Sequence, residues 1–147
     1  MTTWLTAPFE SNESDNLILG SVRKGITKFR NNPRFRFRVE ATWKYEPDIK
    51  GMPDEHTSEL MEQVEESIEN ILAKDPIAVL TGIYTGEGAR DYVFYTLSLH
   101  IFQKKFNEAL ADFPELPLSF SAEEDPQWEE YSRVLAIAMA DEATDDM

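Results

Sequence analysis

Apolar and polar residues alternate without a break over Arg34–Glu46. Phe35, Phe37, Val39, Ala41, Trp43 and Tyr45 fall on one side, and Arg34, Arg36, Arg38, Glu40, Thr42 and Lys44 on the other. A period of two predicts a strand with one buried face and one charged face. Asp54–Ala73 repeats differently. Leu60, Met61, Val64, Ile68, Ile71 and Leu72 make one stripe at helical spacing, behind Pro53 and the acids Asp54 and Glu55 that suit a helix start. Ile77–Tyr84 and Asp91–Leu97 are apolar on both sides, so they predict strands covered on both faces. Between them, Thr85–Ala89 reads as a glycine-bearing hairpin loop. Ser98 caps a helix with the stripe Leu99, Phe102, Phe106 and Leu110, which Pro114 stops. Leu116–Ser121 reads as a further strand. A last helix opens at Asp125-Pro126, with Trp128, Tyr131 and Leu135 facing inward.

Ahead of Arg34, Trp4–Phe9 and Leu17–Val22 predict two more strands, and Lys24–Arg30 a short helix ended by Asn31-Asn32-Pro33. From Arg34 onward the order is strand, helix, strand, strand, helix, strand, the split order of ferredoxin-like domains. The expectation is an α+β fold. It has an antiparallel sheet with helices on one face and a ferredoxin-like βαββαβ core preceded by two extra N-terminal strands. The 147 residues suit one domain over 1–140 with an acidic, frayed tail at 141–147.

Composition narrows the function classes. There is no cysteine, which removes disulfides, thiol catalysis and thiolate metal sites. No apolar run is long enough for a membrane span, and Met1-Thr2-Thr3-Trp4 does not read as a secretory signal, so a cytoplasmic protein is expected. The net charge is −14. It is uneven: residues 1–50 hold 9 Lys and Arg against 6 Asp and Glu, and residues 51–147 hold 5 against 22. Such a field repels phosphate backbones and anionic lipid and attracts basic partners. Solubility alone is the plainer account of it.

Catalytic constellations are missing. His56 and His100 lie far apart on different helices, and neither a zinc nor a triad pattern can be written through them. Gly82, Gly86 and Gly88 join strand to strand and fit no phosphate-loop motif. No cofactor or metal site is expected. The run Arg90-Asp91-Tyr92-Val93-Phe94-Tyr95 occupies the strand where RNA-recognition motifs carry their aromatics. Its glycines are absent, and Asp91 and the net charge oppose RNA, so no nucleic-acid partner is expected.

Four short motifs carry a family resemblance: Trp43-Lys44-Tyr45, Gly51-Met52-Pro53-Asp54, the Arg90–Tyr95 run and Asp125-Pro126-Gln127-Trp128-Glu129-Glu130-Tyr131. Together they resemble the bacterial domain-of-unknown-function family 695, from about Trp4 to Leu135. The resemblance implies no established activity and no catalytic residues. Some members look like chains joined to a domain similar to the B-type regulator of ribonuclease E. The sequence ends soon after the last helix, so that link is not expected here.

Two functions are therefore weighed. One is a non-catalytic interaction or regulatory domain whose acidic surface, at Glu59, Glu62, Glu66 and Glu69, docks a basic protein. The other is a small-ligand-binding protein or enzyme with a pocket near Tyr84, Arg90, Tyr92 and His100.

Overall fold

The computed structural model describes residues 3–11 and 15–145. Six strands form one antiparallel sheet: β1 Thr3–Glu10, β2 Leu17–Lys24, β3 Phe37–Lys44, β4 Ala78–Gly86, β5 Ala89–Thr96 and β6 Leu118–Glu124. Their spatial order is β1-β2-β4-β5-β3-β6. The four helices among the described residues are α1 Thr27–Arg30, α2 Glu55–Lys74, α3 Leu99–Leu110 and α4 Glu129–Asp145. The two N-terminal strands extend the sheet at the β4 side.

The β3 alternation separates two environments, but over Phe37–Lys44 only: Phe35, expected on the same side as Val39 and Trp43, precedes the strand and is buried on the other face of the sheet with Tyr95 and Trp128. Val39, Ala41 and Trp43 are buried beneath α2 and α3, where they join Met61, Val64, Ile68, Phe94, Phe102 and Phe106 in one core layer. Asp54 caps α2 by accepting the Thr57 N–H at 2.8 Å, and Ser98 caps α3 by accepting the Ile101 N–H at 3.2 Å.

The expectation of helices on one face holds for α2 and α3 and fails for α4. That helix packs on the opposite face, where Trp128, Tyr131 and Ala138 meet Ala7, Val22, Val79 and Tyr95 in a second core layer. The cause lies in β4 and β5. Ala78, Leu80, Tyr92 and Phe94 point to the α2 side, while Val79 and Tyr95 point to the other, and both sides need apolar cover.

The start of α4 also differs from expectation. Asp125 opens a turn in which the Trp128 N–H donates to the Asp125 carbonyl at 3.0 Å, and the helix begins at Glu129. Trp128 holds φ +53°, the left-handed region that a bulky residue rarely adopts. Its ring stacks on Tyr95 with centroids 4.1 Å apart, and its Nε1–H donates to the Phe35 carbonyl at 2.7 Å. The Asp125 carboxylate accepts the N–H groups of Glu129 and Glu130 and the Tyr95 hydroxyl at 2.7 Å. It thus caps α4 from outside the helix. The expected five-residue hairpin loop shrinks to Glu87-Gly88, both at positive φ, as a tight two-residue hairpin turn requires. Of the expected tail, residues 141–145 belong to α4, and Asp146 and Met147 lie outside the described residues.

Candidate functional site

The acids of α2 divide into two sets. Glu59, Glu62 and Glu66 are exposed and make no ion pair among the described residues. Glu69 bridges Arg23 at 3.2 Å. Glu65 turns toward the sheet, where it meets the Arg90 guanidinium at 3.0 Å and accepts the Tyr92 hydroxyl at 2.9 Å. Burial pushes the Glu65 carboxyl up from its ordinary value, and Arg90 and Tyr92 offset only part of that. Helix spacing alone does not reveal these two cross-element pairs, because their cations lie on β2 and β5.

The alternative pocket does not assemble. Arg90 and Tyr92 meet beneath α2, where the Arg90 Nε–H also donates to the Thr85 hydroxyl at 2.8 Å. Tyr84 projects from the opposite face of the sheet and packs with Phe9 and the α4 layer. His100 is exposed in the first turn of α3.

A different concavity lies between the α4 face of the sheet and α4 itself. It encloses roughly 700 Å³. The charged side of the β3 alternation supplies Arg38 and Glu40 to its floor, β4 supplies Tyr84 and β5 supplies Asp91, while α4 contributes Glu130 and Arg133. Two strand glycines shape it. A Cβ on Gly82 would sit 2.8 Å from the Tyr84 ring and hydroxyl, and one on Gly20 would sit 2.3 Å from the Phe9 ring. Both rings therefore recline on the sheet, edge to face with centroids 5.5 Å apart. Glycine inside a strand marks such a close approach, and it is the one signal of this cleft that the sequence carries.

Both arginines of the cleft are paired with glutamates. Arg38 bridges Glu40 at 3.3 Å and Glu123 at 3.5 Å, and Arg133 bridges Glu130 at 3.0 Å. Asp91 accepts the Thr42 hydroxyl at 2.7 Å. The Tyr84 hydroxyl has no hydrogen-bond partner among the described residues. Burial pushes it up to about 12, against the pull of Arg38 and Arg133. The cleft can hold a ligand by ion pairs and hydrogen bonds. Both histidines lie outside its lining, so it offers no imidazole as a general base. Among the described residues no cluster of three metal-ligating side chains occurs, and no helix is long and apolar enough to cross a membrane.

The model of the family of unknown function DUF695 matches residues 9–136, a span running from the end of β1 into α4. No curated protein and no solved structure matches the chain.

Proposed function

The chain belongs to the family of unknown function DUF695, and from that premise we propose a non-catalytic interaction or regulatory domain whose acidic surface docks a basic protein partner. One observation carries this reading. Glu65 and Glu69 are neutralised by arginines of other elements, whereas Glu59, Glu62 and Glu66 stand exposed with no ion pair among the described residues. Like charges four apart on a helix cost a few tenths of a kcal/mol per pair, about 0.2–0.5. A helix shaped by stability alone would place lysine there. The cysteine-free composition fits a cytoplasmic setting. The order β4-β5-β3-β6, with α2 and α3 as crossovers, supports a ferredoxin-like core extended by β1 and β2.

The test is charge reversal at Glu59, Glu62 and Glu66 to Lys, which leaves the Arg23 and Arg90 pairs intact. The variant should melt slightly higher than wild type. It should also lose the basic proteins that wild type retains from host extract at low salt. Equal recovery by both proteins would refute the docking reading.

A second reading is favoured by the cleft under α4: a small polar ligand bearing both charge signs, held by the Arg38–Glu40 and Arg133–Glu130 pairs and the open Tyr84 hydroxyl. A panel of zwitterionic amino acids and dipeptides read by thermal shift tests it. Stabilisation that Tyr84→Phe and Arg133→Ala both abolish supports it, and no shift across the panel refutes it.

A further inference from the structure

The two edges of the sheet are not alike. At β1, Pro8 lacks a main-chain donor and α4 lies against the strand, two familiar ways of closing an edge. At the other end, β6 pairs with β3 alone among the described residues. The register decides which of its main-chain groups are free. The Asp125 N–H donates to the Arg36 carbonyl, and the Lys44 N–H to the Pro117 carbonyl. Bonded pairs alternate along an antiparallel ladder, so Ser119, Ser121 and Glu123 direct their main-chain groups at β3. Phe120, Ala122 and Glu124 direct theirs outward, and those groups have no hydrogen-bond partner among the described residues.

An apolar groove coincides with this open edge. Phe120 and Ala122 lie opposite Ala41 and Val39, so their side chains stand on the α3 side of the sheet. Between β6 and α3 runs a groove of roughly 290 Å³, lined by Val39, Leu99, Phe102, Phe106 and Phe120. Phe120 touches Phe106 edge to face at 5.1 Å, yet it remains 53% exposed, and Leu99 remains 40% exposed. A strand added to β6 would extend the main-chain ladder and drop alternate side chains into the groove.

Charge selects the occupant. Glu124 is exposed at the end of β6, and Glu123 is largely exposed beyond its pair with Arg38. A second copy of the chain would bring the same two carboxylates and another −14 to the seam, whereas a basic strand would neutralise them. We propose that β6 accepts a strand from a basic partner, an extended segment in which apolar residues alternate with Lys or Arg. This rests on the reading that the partner is basic, and it names a surface other than α2.

The probe is a fluorescent peptide, Lys-Val-Lys-Phe-Lys-Val-Lys, with a counterpart carrying Glu for Lys. Wild type should bind the cationic peptide in a salt-sensitive way and ignore the acidic one. Ala122→Pro removes an outward N–H and spares the β3 ladder, so the melting temperature should hold while affinity falls about tenfold or more. Phe120→Ser should weaken binding through the groove even if Ala122→Pro fails to fold. The variant with Lys at Glu59, Glu62 and Glu66 should bind the peptide as wild type does. Unchanged affinity in Ala122→Pro and Phe120→Ser overturns the proposal. Loss of binding only in the α2 variant also overturns it while leaving a basic partner in place. A wild-type dimer in sedimentation that Ala122→Pro dissolves would give the edge to a second copy and overturn it too.

Discussion

At Trp128 a stacked ring, an indole hydrogen bond and a left-handed backbone meet in one residue. Trp128→Ala should lower stability by about 3–5 kcal/mol, the usual loss for a large core aromatic, read from the denaturant midpoint. Trp128→Phe should cost less, about 1–3 kcal/mol, because it strands the buried Phe35 carbonyl. Trp43, 3% exposed under α2 and α3, should match the larger figure on Trp43→Ala. His56→Ala and His100→Ala should barely move the midpoint, since both side chains are exposed. A small effect at Trp128 would mean that the turn, not the ring, secures α4. Asp125 makes a separate, pH-dependent contribution. Burial alone would raise its carboxyl, but the Tyr95 hydroxyl and the Glu129 and Glu130 N–H groups outweigh burial and hold it below the ordinary range. A depressed folded value favours folding above the unfolded value of about 3.9, and that contribution is lost as pH falls through the folded value. Asp125→Asn should therefore be less stable than wild type at neutral pH, and the gap should narrow in acid. A constant gap would exclude the carboxylate as its source.

Elements were legible where the environment on each side is uniform. The β3 alternation reads cleanly from Phe37 on, because one side meets two helices and the other a polar cleft, whereas Phe35 ahead of the strand turns to the α4 layer. The two apolar strands read as covered on both faces, and α4 is the cover on the second. Its placement was not legible, because the signal for it sits in β4 and β5 rather than in α4. Its start was masked by Trp128, since nothing in Asp125-Pro126-Gln127-Trp128 announces a left-handed tryptophan. The cleft draws on all of β1 to β5 and on α4, and no local pattern joins residues so distant in the chain. At the β4–β5 hairpin, Gly88 holds φ +77°, and a Cβ there would lie 3.3 Å from the Tyr45 carbonyl oxygen. Gly88→Ala should cost about 1–2 kcal/mol, measured by thermal melting. A neutral result would show that the turn can switch to another type.

Across the whole molecule, all five tyrosines titrate above their ordinary value in the folded state. Burial is the leading cause at each, and Tyr84, the cleft residue, is pushed up to about 12. A raised folded value means that the neutral phenol favours folding below about pH 10, and that this contribution is lost as pH climbs beyond it. Alkaline unfolding should therefore coincide with tyrosinate release followed by ultraviolet absorbance. Tyr84→Phe should remove one proton from that coupled step. Tyrosinate appearing near its ordinary value while the fold persists would contradict the burial of these rings. Moderate salt should raise the melting temperature, because it screens the self-repulsion of a chain at −14.

The α4 layer also sets the order in which the protein can be made. The Trp128 indole reaches back to Phe35 and the Tyr131 hydroxyl donates to the Arg23 carbonyl, contacts that span 93 and 108 residues. A ribosome delivers β1, β2 and α1 early, but their apolar side stays bare until the final helix has left the exit tunnel. Completion of this layer therefore waits for the last element of the domain to emerge. A chain cut short before Trp128 would keep its α2 layer and expose the other, marking it for chaperones or proteases.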